Sequence, residues 1–305
     1  MRACVMMAGL VAVSASAALG QGRMYAIDSS RAISEIDYVN GTRTVIGAAT
    51  SNAGTTGGLA YDCATQTVYL TSTSLDSLFT LDLETGTATL VGAYGDSAVV
   101  MHGLEWDSST GTLYGESSHN NGLYTIDTAT GAATLVGTSG LTSFSNLGYD
   151  SINDRMYSTN SGTDSFYGMD RATGAATLIG ALAGPTNPNG LAFNRDNGLM
   201  YLVCNTTDTL YTIDLTSGAA TAVGALGSSN LLGLVYIPAD CGGPACDPDM
   251  NQDGNVDQDD VSYLINVVGG GENPTGIDPD FNHDGNVDQD DISALIDVVA
   301  GGACP

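Results

Sequence analysis

Between about residues 23 and 237 the chain alternates apolar and polar positions in short runs, each closed by Gly, Asn, Asp or Ser. The runs recur in a fixed order. "GGLAYD" at Gly57 returns as "HGLEWD" at His102, "NLGYD" at Asn146, "NGLAFN" at Asn189 and "LGLVYI" at Leu232. Their aromatic residues, Tyr61, Trp106, Tyr149, Phe193 and Tyr236, stand 43 to 45 residues apart. A second run follows ("VYL" at Val68, "LYG" at Leu113, "MYS" at Met156, "MYL" at Met200), then a third ("LFTLD" at Leu78, "LYTID" at Leu123). The fourth is "TGTATLVG" at Thr85, with counterparts at Thr130, Thr173 and Ser217. Period-2 alternation of β-branched and aromatic residues between turn formers predicts four strands per unit.

Four short strands in a repeat of this length predict a β-propeller blade. The ends set the blade number. "RMYAID" at Arg23 corresponds to the second strand, "ISEID" at Ile33 to the third and "NGTRTVIG" at Asn40 to the fourth; the missing first strand is "LGLVYI", at the far end. The two ends together complete one blade. The expected fold is therefore mainly β: a five-bladed propeller of four-stranded blades over residues 21–238, closed by N- and C-terminal strands. The Asp-x-x-Thr-Gly step before each fourth strand predicts a tight turn with glycine at positive φ. The alternative is a ligand site built from the repeated Asp37, Asp82, Asp127, Asp170 and Asp214. The period is similar to that of five-bladed families that include sugar-binding lectins and glycoside hydrolases. The "LYTIDTATGAATLVG" style resembles secreted bacterial propeller repeats of unassigned function.

Charge divides the chain again. The net charge is −27, with seven arginines and no lysine, which argues against nucleic-acid phosphates as a partner. Fourteen of the acidic residues lie after Cys246, where there is no Lys or Arg. That asymmetry predicts a linker at 239–246 and a separate domain at 247–305. At the other end, Arg2, the apolar run Val5 to Val13 and "ASA" at Ala15 have the order of a signal peptide over residues 1–20, cut near Ala17 or Gly20. The run is too short to span a bilayer. The expectation is a secreted or cell-surface protein without membrane insertion. Export leaves five cysteines, and the predicted pairs are Cys63–Cys241 and Cys246–Cys304 with Cys204 free; a local Cys241–Cys246 loop is the competing arrangement.

The acidic segment is written twice, as "DPDMNQDGNVDQDD" from Asp247 and "DPDFNHDGNVDQDD" from Asp278. Asp249, Asn251, Asp253, Asn255, Asp257 and Asp260 fall at positions 1, 3, 5, 7, 9 and 12 of an EF-hand loop, with Gly254 at position 6. Asp280, Asn282, Asp284, Asn286, Asp288 and Asp291 repeat the register around Gly285. Oxygen ligands in this spacing predict two Ca²⁺ ions. Short apolar helix patterns follow at Val261 and Ile292. Asp at position 12, short helices and a 31-residue duplication resemble a type I dockerin. The resemblance implies attachment to a cohesin-like or cell-envelope protein, often in polysaccharide breakdown. Its partner-choosing positions fall on Gln258, Asp259, Gln289 and Asp290, where dockerins usually carry Ser or Thr.

In the propeller the departures from the repeat gather in one blade, at His102, Glu105, Trp106, Glu116 and His119. Glu105 is expected at a wet strand end and His119 in an exposed loop; an acid–base pocket is the alternative. The chain has no Ser-His-Asp order, phosphate loop or zinc spacing. The expected function is a secreted calcium-binding protein whose tail anchors a non-catalytic propeller that binds or displays, with glycan among its candidate ligands. The alternative is a carbohydrate-active enzyme, a glycoside hydrolase or lyase, carried by the same tail.

Overall fold

A computed structural model describes residues 22–239, 248–282 and 286–302. The signal segment, most of the linker, Asp284, and Cys241, Cys246 and Cys304 lie outside the described residues. The chain separates into two compact units between residues 239 and 240.

The first unit is a five-bladed β-propeller. The composite blade holds β1 (Arg23–Asp28), β2 (Ala32–Ile36) and β3 (Arg43–Ala48). The first full blade is β4 (Thr56–Asp62), β5 (Thr67–Ser72), β6 (Ser77–Leu81) and β7 (Ala88–Ala93). The second is β8 (Met101–Asp107), β9 (Thr112–Ser117), β10 (Gly122–Ile126) and β11 (Ala133–Thr138). The third is β12 (Ser145–Asp150), β13 (Arg155–Asn160), β14 (Ser165–Met169) and β15 (Ala176–Ala181). The fourth is β16 (Pro188–Asn194), β17 (Leu199–Cys204), β18 (Thr209–Ile213) and β19 (Ala220–Ala225), followed by β20 (Leu231–Ile237). Each blade is a four-stranded antiparallel sheet in chain order, and β20 completes the composite one in the order β20-β1-β2-β3. Met24 pairs with Tyr236 and Tyr25 with Val235, so the ring closes with the register its end sequences imply.

The strands β4, β8, β12, β16 and β20 pack on one another around the axis. Their leucines, Leu59, Leu104, Leu147, Leu191 and Leu234, are all buried, and the axial space that they help to line is too small for a water molecule. Such closeness requires a small residue opposite. A Cβ on Gly233 would come within 2.6 Å of the Gly57 carbonyl oxygen and 2.9 Å of the Leu59 nitrogen. At the periphery the turn glycine of one blade meets the last strand of the preceding blade. Gly131 (φ +77°) would place a Cβ 2.4 Å from the Gly92 carbonyl oxygen, and Gly92 one 1.9 Å from that of Thr130.

One apolar cluster fills each blade junction. Four of them contain eight to twelve buried side chains; the cluster between the second and third full blades contains six, among them Tyr114, Leu147, Tyr149 and Met156.

In the second unit, α1 (Gln258–Val268) and α2 (Gln289–Val299) each follow one acidic loop. Met250, Val261, Leu264, Phe281 and Leu295 form its buried core. The positions at which the two loops differ thus split by burial: Met250 and Phe281 are core residues, whereas Gln252 is exposed.

Removing Leu232 to Ile237 strips the composite blade of its axial strand. The expected outcome is loss of a cooperative melt for the propeller, read by near-ultraviolet circular dichroism; an unchanged melting temperature would contradict closure by β20. Gly131→Ala should cost more than about 1 kcal/mol, because it adds positive-φ strain to a backbone clash. Chemical denaturation measures it.

Candidate functional site

The first acidic loop is organised by its own carboxylates. Asp249 Oδ1 accepts the Asp253 N–H at 3.0 Å, and its Oδ2 accepts the Gly254 N–H at 2.8 Å. Gly254 takes φ +90°, which turns the chain back at position 6. Asn251 Oδ1 accepts from the Asp253 N–H at 2.9 Å, and Asp253 Oδ1 accepts the Asn255 N–H at 2.8 Å. The Asn255 backbone and amide donors hold the Asp253 carboxyl below its ordinary range. Asp257 is the N-cap of α1 and accepts the Asp259 N–H at 2.9 Å. Asp260 reaches back to complete the capping box, accepting the Asp257 N–H at 2.8 Å and the Asn251 N–H at 3.1 Å.

The second loop repeats the arrangement. Asp288 caps α2 and accepts the Asp290 N–H at 2.9 Å. Asp291 accepts the N–H groups of Asp288 at 2.8 Å and Asn282 at 3.0 Å. Asp280 opens this loop and Asn286 lies on its exposed side, while Asp284 falls outside the described residues. Asp260 and Asp291 are both fully buried, and each of their oxygens takes a backbone donor yet keeps a further lone pair. Among the described residues no three His, Cys, Asp or Glu side chains stand grouped to hold a metal; the loop carboxylates are turned to the loop's own N–H groups. The all-oxygen donor set, the glycine turn and the buried carboxylate at position 12 fit a hard cation of the Ca²⁺ type. Gln258, Asp259, Gln289 and Asp290 lie exposed at the helix starts.

In the propeller the repeated aspartates serve their turns. Asp82 Oδ1 accepts from Glu84 and Thr85, Asp127 Oδ1 from Ala129 and Thr130, and Asp214 Oδ1 from Thr216 and Ser217. Asp37 and Asp170 do likewise with Val39 and Ala172. These are side chain-to-backbone turns that need no ligand.

The second full blade behaves differently from its expected reading at Glu105. Half-buried near the end of β8, Glu105 also reaches toward the third full blade: Oε1 accepts the Trp106 N–H at 2.9 Å and Oε2 the Tyr149 N–H at 3.2 Å. Burial pushes its carboxyl up to about 8. Glu116, 1% exposed, crosses the same junction from β9. Its Oε2 accepts the Ser158 hydroxyl at 2.8 Å, and its Oε1 is buried without a hydrogen-bond partner. Burial raises its pKa to about 7 against the opposing pull of the Ser158, Ser139 and Ser145 hydroxyls. Arg171 ties the junction from the other side through an ion pair with Asp107 and a second with Asp154 at 2.8 Å, its guanidinium lying 5.5 Å from the Tyr149 ring centre. An open groove of about 1050 Å³ runs beside it, along Asp154, Tyr157, Met169, Arg171, Ile179 and Leu215. Trp106 stacks on Tyr69 rather than facing solvent alone.

At the start of β8, His102 is 9% exposed, and burial lowers its pKa to about 4. Its Nδ1 lies 2.9 Å from the Ser118 hydroxyl, which the exposed His119 approaches at 3.3 Å. Sequence reasoning missed Ser158 and Arg171, because each gains its partner from the neighbouring blade, and Ser118, whose partner His102 is brought to it by the pairing of β8 with β9. Cys63 is disulfide-bonded and Cys204 is free and buried, with its thiol 3.0 Å from the Thr186 carbonyl.

A family described as a repeat of unknown function (DUF6923) matches residues 108–229. No curated protein matches the chain. Among solved structures, a chain of a nidogen–laminin complex is similar at 15% identity and TM-score 0.52, over 73% of this chain and 100% of that one. A protein of unknown function from Bacteroides thetaiotaomicron is similar at 19% identity and TM-score 0.51, over 70% of this chain and 57% of that one. At these identities the likeness is one of fold.

Glu116 makes the propeller's stability depend on pH in a defined sense. A carboxyl raised in the folded state keeps a proton that the unfolded chain has lost, so its stabilising share is full below the ordinary carboxylate range and falls as pH rises through about 7. The loss is of the order of 3 kcal/mol. Glu116→Gln should make the decline shallower between pH 4.5 and 7 and leave the share of Glu105, whose carboxyl is raised to about 8, in place; denaturant titration at each pH measures it.

Proposed function

We propose that this is a secreted calcium-binding protein in which a dockerin-like tail, residues 247–305, anchors a non-catalytic binding or display propeller to a cohesin-like or cell-envelope partner. One observation carries the reading. The same loop and helix are built twice, and each ends on a fully buried aspartate, Asp260 or Asp291, with no cationic side chain in the unit to neutralise it: every ion pair among the described residues lies in the propeller. A buried carboxylate held only by neutral N–H donors is costly unless a charge is brought to it. Ca²⁺ supplies that charge and takes the remaining oxygens of Asp249, Asn251, Asp253, Asn255, Asp257 and Asp260, and of Asp280, Asn282, Asp284, Asn286, Asp288 and Asp291.

The propeller is the module being carried. Its two unusual carboxyls bridge blades, and Glu116 is too enclosed to meet a substrate, which supports binding over catalysis. The groove along Tyr157, Arg171 and Leu215 is the place offered to a glycan or protein ligand.

Equilibrium dialysis of the full chain should find two Ca²⁺ ions; Asp249→Ala and Asp280→Ala should each remove one. If Ca²⁺ stands at about 100 times its dissociation constant, each site stabilises the tail by about 2.7 kcal/mol. Chelator should therefore lower the first of two melting transitions and leave the propeller's unmoved. No bound calcium would end the reading. The anchoring half is tested by retention of envelope proteins on the immobilised chain with Ca²⁺ and their release with chelator.

A further inference from the structure

Two of the chain's three histidines meet on a single hydroxyl. The meeting is local to the second full blade. Where that blade has Ser118 and His119, the others have Thr73 and Ser74, Ser161 and Gly162, Asn205 and Thr206, and Ser29 and Ser30. The backbone produces it by a bulge: Met101 pairs with Ser117 and Gly103 with Glu116, so His102 has no partner in the ladder and is re-aimed at the strand end. The Phe144 ring lies 4.4 Å from the imidazole, edge on, and restricts its rotation. The Ser118 N–H is fixed to the Val100 carbonyl at 3.1 Å. Nδ1 of His102 and Nδ1 of His119 therefore face one point from a held side and an exposed side.

The geometry points to a binding site for a borderline divalent transition ion, of the copper or zinc class, between His102 and His119. Imidazole nitrogen suits these metals, whereas the oxygen-only loops of the tail suit Ca²⁺. Metal–imidazole bonds are about 2.0–2.1 Å. The two nitrogens stand 2.9 and 3.3 Å from the hydroxyl, so the ion enters beside Ser118 Oγ when the exposed His119 turns toward the held His102. Ser118 Oγ and solvent water complete the coordination. His102 is the pre-positioned ligand and His119 the one that arrives.

The test uses the full chain with its tail saturated with Ca²⁺, and Cu²⁺ as the probe. Electron paramagnetic resonance at one equivalent should show coupling to two imidazole nitrogens. His119→Ala, a surface change, should remove one of them and weaken binding at least tenfold. His102→Asn should do the same in a variant whose melting temperature is retained. His283→Ala, in the second acidic loop, should leave the spectrum unchanged. Coupling to fewer than two imidazoles in the native chain, or loss of coupling in the His283 variant, would overturn the assignment and leave a hydrogen-bonded Ser118 as the whole role of the pair.

Discussion

The architecture depends on how closely neighbouring blades approach. In four of the five axial strands a glycine (Gly58, Gly103, Gly190 or Gly233) lies against the backbone of a neighbouring axial strand, and the third full blade has Asn146 in that place. The Gly233–Leu59 approach is one case and the Gly131–Gly92 approach at the rim is another. A five-bladed ring leaves little room at its centre, so a methyl group at these places pushes on backbone, not on a side chain that could rotate away. Close packing at the axis and at the rim then fixes the tilt of every blade between them. The fourth-strand sequence Thr-Gly-x-Ala-Thr-Leu-Val-Gly carries both rim glycines, which is why it is the most regular part of the repeat.

One junction departs from this scheme. Between the second and third full blades the apolar cluster is smallest, and polar groups take over: Glu105 to the Tyr149 N–H, Glu116 to Ser158, and Arg171 to Asp107. Burial favours the protonated form of Glu116, so part of this seam changes strength with pH beside the charged pair of Arg171 and Asp107, while the other junctions combine their apolar clusters with bonds such as Arg43 to the Leu226 carbonyl and Tyr236 to Asp196. The same blade also supplies His102 and His119. Chemistry in this propeller is thus gathered in one blade and absent from the repeat consensus.

The tail solves a different problem. Its core is five buried side chains, a small stock of apolar area for a segment of its length. Its loops spend their carboxylates on backbone donors, and the capping boxes at Asp257 and Asp288 start both helices. What such a unit lacks is charge compensation, and that lack is the physical ground of the calcium proposal.

Much of this was legible in the sequence. Strand number, blade number, ring closure and the turn role of the repeated aspartates follow from a period of alternation and from complementary chain ends, because those patterns are local and repeated. In the acidic segment the duplication, the turn at Gly254 and the helices that follow were legible too, whereas the capping boxes that join Asp257 to Asp260 and Asp288 to Asp291 came from the structure. What pairs across blades was not. Glu105 reads as a strand-end acid, and only the structure shows its bond to the Tyr149 N–H of the next blade. Glu116, Ser158 and Arg171 carry no signal in their own repeat, because their partners across the junction lie forty-two to sixty-four residues away along the chain. The sequence determined the blades, since each is a local pattern of strands and turns. The tertiary structure decided which side chains are buried between them, since burial there depends on how the ring brings distant strands face to face.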